Sequence, residues 1–136
     1  MRRTVSLLIG TLLAATAVTQ AAAGSRPDPE ARLTRALEGR VAGEPRDCLI
    51  QRDIRSSRIF DRTAILYETS DGKYYLNRPR SGRESLDTWD VLVTDTHTPW
   101  LCSIDIVRLY DTGLRAQTGS VFLGPFVPYT KPRRAR

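Results

Sequence analysis

The 136-residue chain has few of the residues that metal sites and many enzymes depend on. It contains one histidine, His97, and two cysteines, Cys48 and Cys102. One imidazole and two cysteines that pair with each other cannot build a familiar zinc site. The sequence also has no G-x-G-x-x-G fingerprint, no P-loop and no G-x-S-x-G nucleophile motif. We therefore predict no cofactor and no metal site, and nothing in the sequence indicates a nucleotide.

The middle of the chain carries no excess of positive or negative charge. The net charge is +6, but six of the 21 basic residues lie in 1–3 and 131–136. Residues 24–130 carry 15 basic and 15 acidic side chains, so they lack the footprint of a nucleic-acid-binding domain. For the basic tail, residues 131–136, we expect at most weak contact with an anionic surface.

Only one long apolar run is present, Val5–Val18, and it follows the basic start Arg2-Arg3. Three alanines, 21–23, then precede Gly24. This order predicts a secretory signal peptide over residues 1–23, cleaved before Gly24. The alternative, a membrane anchor, needs about 20 apolar residues, and this run is shorter. We expect a periplasmic or secreted protein whose mature chain has no transmembrane anchor.

Two cysteines with none left over predict one disulfide in an exported protein. The Cys48–Cys102 bond would close a loop of about 55 residues and contribute roughly 4 kcal/mol by the chain-entropy model. Because the two cysteines are not in a C-x-x-C motif, a redox pair is not favoured.

The remaining pattern predicts an α+β fold. Residues 24–47 are a linker and a short helix, beginning at Asp28-Pro29-Glu30 with an N-cap and a proline in the first turn. Residues 48–130 are a β-rich domain of about five or six mainly antiparallel strands, which can curl into a small barrel. Residues 131–136 are the tail.

The pair Asp71-Gly72 between two apolar runs predicts a β-hairpin. A two-residue turn would place Tyr67 opposite Leu76. One buried face would then carry six apolar side chains: Ile65, Tyr67, Tyr74, Leu76, Val91 and Val93.

The catalytic candidate is His97, with Asp95 or Asp105 as its carboxylate and Ser103 nearby in sequence. It lies in a predicted turn without a supporting motif, so an exposed loop histidine is the competing interpretation. Asp87, Asp90, Asp95 and Asp105 lack the spacing of a calcium loop.

Several arginines form two further candidate sites. Arg52, Arg55, Arg58 and Arg62 follow Cys48 and can bind an anion, although Asp53 and Asp61 already balance them. A ligand or partner contact is predicted at Arg55, Tyr75, Asn77, Arg78 and Asp105, because arginine and tyrosine are enriched at interfaces. The alternative is an internal polar network that sets strand register.

Five segments resemble a family of small exported proteobacterial proteins, of sphingomonad type, that is catalogued only as a domain of unknown function. They are Cys48, Asp53–Ser56, Tyr75–Arg78, Leu101–Asp105 and Phe122–Pro132. The resemblance implies a Gram-negative envelope protein with Cys48 paired to Cys102, and it implies no reaction.

Three functions compete. The first is a non-enzymatic periplasmic module that binds an envelope protein or glycan, or serves as a structural component of the envelope. The second is a small hydrolase that uses His97. The third is an inhibitor of an exported enzyme that presents a loop such as residues 81–89.

Overall fold

The computed structural model describes residues 26–133, so the predicted signal peptide and the last three residues of the tail lie outside the described residues. Within residues 26–133 the chain forms one α-helix, two 3-10 turns and ten strands. The elements are α1 (Pro29–Ala36), β1 (Val41–Ala42), β2 (Cys48–Ile50), β3 (Ile54–Phe60), β4 (Ala64–Thr69), β5 (Tyr74–Asn77), β6 (Val91–Thr94), β7 (Trp100–Cys102), β8 (Ile106–Asp111), β9 (Ala116–Phe122) and β10 (Phe126–Thr130).

The strands form three antiparallel sheets. The five-stranded sheet has the order β1-β10-β5-β4-β3, the three-stranded sheet has the order β6-β8-β9, and β2 pairs with β7. A mainly antiparallel fold with one helix is confirmed. The predicted barrel is wrong, because these sheets do not close on each other, and no ladder joins β3 to β6 within residues 26–133.

The helix begins where the sequence predicts. The Asp28 carboxylate accepts a hydrogen bond from the Ala31 N–H at 3.1 Å, and Pro29 occupies the first turn. A helix of eight residues is marginal alone, so it depends on docking. Its buried side chain, Leu33, packs on the five-stranded sheet in a cluster with Phe60, Ala64, Leu66 and Leu76.

The main core lies on the opposite face of the five-stranded sheet, between it and the other two sheets. Its twelve buried side chains are Leu49, Ile59, Ile65, Tyr67, Tyr75, Leu86, Leu101, Val107, Leu109, Val121, Leu123 and Phe126. The five-stranded sheet is therefore covered on both faces, and the three-stranded sheet is covered on one.

The disulfide prediction is confirmed. Cys48 and Cys102 face each other across β2 and β7 with their Cα atoms 4.0 Å apart. The bond sits beside Leu49 and Leu101 of the main core. It ties the segment that leads into β3 to the segment between β6 and β8.

The predicted hairpin exists, but its register differs by one residue. The Thr69 N–H bonds the Lys73 carbonyl at 3.0 Å, and Gly72 has φ 77°, so the loop contains three residues instead of two. Tyr67 therefore lies opposite Tyr75, and Leu66 lies opposite Leu76.

This slip moves side chains between faces. Ile65 and Tyr67 belong to the main core, whereas Leu76 and Tyr74 lie on the helix side of the sheet. The predicted core positions Val91 and Val93 are also wrong: both side chains are exposed, and Leu92 between them packs on the core.

Candidate functional site

His97 is exposed in the turn between β6 and β7. In the described part of the chain its side chain makes no hydrogen bond or ion pair. Its candidate carboxylates are engaged elsewhere: Asp95 lies 3.6 Å from the Arg108 guanidinium, and Asp105 accepts a hydrogen bond from the Cys102 N–H at 2.6 Å. The Ser103 hydroxyl contacts Asp47 at 3.5 Å. Hydrogen bonds therefore do not join these residues into a triad.

Asn77 is fully buried, and its side chain links β5 to the segment before β10. Its side-chain amide donates to the Gly124 carbonyl at 2.6 Å and accepts from the Gly124 N–H at 3.1 Å. The Asp105 carbonyl accepts from the Leu123 N–H at 3.0 Å, so Asn77 and Asp105 hold adjacent residues of the segment before β10. Both contacts are internal to the fold, as the register-setting alternative describes.

Arg78 joins the helix to the sheet. Its guanidinium contacts both oxygens of Glu30, at 3.1 Å and 2.5 Å. The hydrogen bond from Arg78 holds the pKa of Glu30 below its ordinary value, although burial opposes the shift. The pair is half exposed, so it anchors α1 only weakly.

Arg55 and Tyr75 lie in different surroundings from Asn77 and Arg78. Arg55 is exposed on β3, and Tyr75 is buried in the main core beside a polar cavity of about 350 Å³. Arg46, Lys73 and Trp100 also line that cavity. The five predicted contact residues therefore do not form one surface.

The arginines after Cys48 also lie in different surroundings and have different contacts. Arg52 lies 3.8 Å from Asp53, both on the surface, and Arg62 occupies the β3–β4 turn with φ 51°. The Arg58 guanidinium lies 5.9 Å from the centres of the Phe60 and Tyr74 rings. This arrangement does not form a single anion-binding strip.

At the tip of the β4–β5 hairpin, an ion pair and a hydrogen bond hold the Asp71 carboxylate. The Lys73 ammonium lies 2.8 Å from one oxygen of Asp71, and the Thr69 hydroxyl donates to the other at 2.6 Å. These bonds lower the pKa of Asp71 to about 2. The Lys73 ammonium beside the 350 Å³ cavity is therefore paired with Asp71.

One buried side-chain polar atom has no hydrogen-bond partner within residues 26–133. The Tyr67 hydroxyl lies in the main core without a hydrogen bond, and burial raises the pKa of Tyr67. The Tyr67 ring packs edge-on against Phe126 with the ring centres 5.7 Å apart. The ring contributes apolar packing, and the unpaired hydroxyl opposes it.

The cross-strand register places several exposed apolar side chains on one side of the three-stranded sheet, its outer face. We define this outer face by Val91, Val93, Ile106 and Phe122, which are 44%, 36%, 46% and 47% exposed. Ile106 lies directly opposite Phe122, and alternate residues of each strand, such as Val107 and Val121, point into the core. These four side chains are therefore on the same side of one sheet.

Arg108 lies in the middle of the outer face. It is opposite Val93 on one side and Ser120 on the other, and Ile106 is two residues away on the same strand. Its one ion pair among the described residues is with Asp95 at 3.6 Å, at the surface. An apolar surface around an arginine has the composition of binding hot spots.

The outer face differs from the sequence prediction, which places Val91 and Val93 in the core. The available signal was the run Ile106-Val107-Arg108-Leu109, in which apolar residues occur at both strand parities. Such a run indicates that both faces of the strand carry apolar side chains, and a core covers at most one of them here.

Within residues 26–133 no cluster of three or more His, Cys, Asp or Glu side chains could hold a metal ion. The one helix in that range is too short to cross a membrane. Comparisons with known protein families, curated proteins and solved structures give no match for this chain.

Proposed function

We propose that this protein is an exported, disulfide-stabilised, non-enzymatic binding module of the bacterial envelope, and that the outer face docks a partner protein. The observation that carries the proposal is the exposed apolar outer face with Arg108 at its centre. Exposed apolar side chains gathered on one face of a sheet are typical of interaction sites.

The partner we infer presents an apolar patch with a carboxylate at its centre. Arg108 can form a bidentate pair with a carboxylate, and the surrounding side chains would exclude water from it. A second copy is disfavoured, because a two-fold axis through the centre of the outer face would bring two Arg108 guanidinium groups together.

Export is part of the proposal. The order of charge and apolarity in residues 1–23 supports it, and the Cys48–Cys102 bond fits an oxidising compartment. The resemblance to exported proteobacterial proteins points the same way and stays a prediction.

An inhibitor of an exported enzyme is the second candidate. Residues 81–89 are held near both ends of their loop: the Phe122 N–H bonds the Ser81 carbonyl at 3.1 Å, and the Thr88 N–H bonds the Asp61 carboxylate at 2.7 Å. Trp89 then projects with 70% of its surface exposed. An exposed tryptophan on a fixed loop could enter a substrate pocket, and Trp89→Ala should abolish inhibition if this candidate is correct.

The outer-face proposal is tested by crosslinked capture from envelope extract, using protein expressed from the full-length gene. The variant Ile106→Ser/Phe122→Ser removes two apolar anchors without touching the core. Leu114→Ser is the matched control, since Leu114 is 74% exposed and lies in the β8–β9 turn, off the outer face.

We expect one partner that the wild type and Leu114→Ser capture equally and that the double variant loses. Arg108→Glu should weaken the same complex by about tenfold or more, since it reverses the central charge. Equal capture by all variants contradicts the proposal. Binding to isolated cell-wall glycan that ignores the outer-face substitutions also contradicts it.

A further inference from the structure

The polar cavity of about 350 Å³ lies between the tip of the β4–β5 hairpin and strands β2 and β7, and we call it the hairpin cavity. Ser70 and Lys73 line it from the hairpin. Ile50 and Trp100, which face each other in the register of β2 and β7, line it from the strands. Small-molecule sites are typically clefts of about 300–1,000 Å³. The hairpin cavity is at the lower end of that range, so it can hold a ligand of one or two small rings.

One nearly buried side chain presents its polar atom to the hairpin cavity. Tyr75 is only 5% exposed, and its ring packs in the main core. Its hydroxyl forms no hydrogen bond within residues 26–133, yet it is not among the buried atoms that lack a partner, as the Tyr67 hydroxyl is. The Tyr75 hydroxyl is therefore accessible from the cavity that Tyr75 lines, where it can both donate and accept a hydrogen bond.

Two basic side chains lie close to this hydroxyl. The hydrogen bond and the charge of Asp71 raise the pKa of Lys73, and Tyr75 adds to the increase. The charge of Arg46 opposes it. Because charge effects weaken with distance, Tyr75 and Arg46 are both near the Lys73 ammonium. The Arg46 guanidinium forms no ion pair among the described residues, so its N–H groups are available to a ligand.

The charged side chains of the hairpin cavity balance each other. Arg46 and Lys73 are basic, and Asp53 and Asp71 are acidic. Lys73 is paired with Asp71 at 2.8 Å, and Asp53 lies 3.8 Å from Arg52 at the surface. A ligand with a net charge would meet side chains of its own sign, so a neutral ligand is favoured. That ligand has to accept hydrogen bonds from the basic groups and donate them to the carboxylates.

Trp100 adds an aromatic surface to the hairpin cavity. It lines the cavity, and 45% of the residue is exposed. The face of an indole ring carries partial negative charge, which attracts polarised C–H groups. A sugar ring presents C–H groups on its face and hydroxyls, which donate and accept, around its edge. An exposed indole beside converging donors and acceptors therefore has the chemistry of a sugar site.

We propose that the hairpin cavity binds a free neutral sugar of one or two rings. The C–H face of the sugar stacks on Trp100, and its hydroxyls exchange hydrogen bonds with the Tyr75 hydroxyl, Arg46 and Asp53. The volume of the cavity favours a free sugar over a length of glycan polymer. A zwitterionic amino acid is also neutral, but its two charges would pair with Arg46 and Asp53 at the surface, where ion pairs contribute little.

The hairpin cavity shares no residue with the outer face. The outer-face variant Ile106→Ser/Phe122→Ser should therefore leave sugar binding unchanged. Conversely, loss of the sugar site should leave capture of a partner protein unchanged. The two proposals can thus fail independently of each other.

The test uses protein expressed from the full-length gene, with glucose and maltose in the millimolar range as probes. The chain has two tryptophans, so the Trp89 indole N–H provides an internal control for that of Trp100 in NMR spectra. We expect a saturable shift of the Trp100 indole N–H and of the Ser70 and Lys73 amides with at least one of the two sugars, and no shift of the Trp89 signal. Inorganic phosphate, an anion, and glycine, a zwitterion, should not produce these shifts.

Two matched pairs of variants locate the contact. Trp100→Ala removes the aromatic surface, and Trp89→Ala makes the same change at the other exposed tryptophan. Tyr75→Phe removes the hydroxyl that faces the cavity and keeps the ring in the core, whereas Tyr67→Phe removes a hydroxyl that is sealed in the core. We expect Trp100→Ala and Tyr75→Phe to weaken sugar binding by about tenfold or more and the two controls to leave it unchanged.

Several outcomes overturn the proposal. One is no saturable shift of the Trp100 indole N–H with either sugar, and another is equal binding by the wild type and Trp100→Ala. Equal shifts of both indole signals would indicate contact that is not specific to the cavity. Shifts with phosphate or glycine as large as those with the sugars would assign the cavity to a charged ligand. Retention of the protein on isolated cell-wall glycan that Trp100→Ala abolishes would show that the ligand is a polymer, and the free-sugar proposal would be wrong.

Discussion

The five-stranded and the three-stranded sheets are both antiparallel, yet only the first is covered on both faces. Helix α1 buries Leu33 on the outer side of β3, β4 and β5, and the Arg40 guanidinium stacks 3.5 Å from the Tyr74 ring beside it. No element of residues 26–133 covers the outer face of the three-stranded sheet. Apolar side chains on one sheet therefore support folding, while those on the other are available for binding.

Breaking the Cys48–Cys102 disulfide, which joins the two strands of the separate sheet β2–β7, should have the largest effect. Cys48→Ala removes a crosslink with a sequence separation of 54 residues, and we expect a loss of about 4 kcal/mol in the free energy of unfolding. Urea denaturation under non-reducing conditions measures it. Reduced wild-type protein should match the variant. Unchanged stability after reduction would mean that the fold does not depend on the bond.

Weakening the contact between α1 and the five-stranded sheet should lower the free energy of unfolding far more than a substitution on the exposed outer face. Leu33→Ala leaves a cavity under α1 and should cost about 3 kcal/mol. Phe122→Ser, on the outer face, should change stability by no more than about 0.5 kcal/mol. The same denaturation curves compare the two. A large loss for Phe122→Ser would show that the outer face is part of the core.

The main core contains one group that lowers its stability, the Tyr67 hydroxyl, which is buried without a hydrogen bond. Tyr67→Phe removes the unpartnered hydroxyl and keeps the ring against Phe126, so we expect a gain of about 1 kcal/mol. Thermal unfolding should show a higher midpoint, with Tyr75→Phe as a buried tyrosine whose hydroxyl is not among the unpartnered atoms. A loss of stability in Tyr67→Phe would indicate that a bound water or ligand satisfies the hydroxyl.

The smallest predicted effect is the loss of folding stability at acidic pH that comes from the ion pairs of Glu30 and Asp71. The pKa values of Glu30 and Asp71 are lowered in the folded protein, so each carboxylate stabilises the fold above its unfolded pKa. That stability is lost as the pH falls, for Asp71 down to about 2. Because both pairs are at the surface, we expect less than about 1 kcal/mol from each.

Asp71→Asn tests this prediction most directly, because it removes the carboxylate at the hairpin tip. Its stability should change less between pH 5 and pH 2 than that of the wild type. Equal pH dependence in both proteins would show that the Asp71 carboxylate does not contribute to folding stability.

Local signals in the sequence predicted the elements whose contacts are local or covalent. The N-cap at Asp28 and the proline beside it predict the start of α1, because those groups bond within one turn. The cysteine count predicts the disulfide, since an exported protein leaves few alternatives for two thiols. The barrel and the buried positions of Val91 and Val93 depended on how distant strands meet, and those predictions were wrong.

What the sequence alone determined was the helix start, the β-rich body, the pairing of Cys48 with Cys102 and the presence of a hairpin at Asp71-Gly72. Tertiary structure decided the rest. A three-residue turn in place of a two-residue turn reverses the faces of β5 relative to β4, and the sequence allows either. Which apolar face is buried was decided by where α1 docks, because one short helix can cover only one of the two sheets.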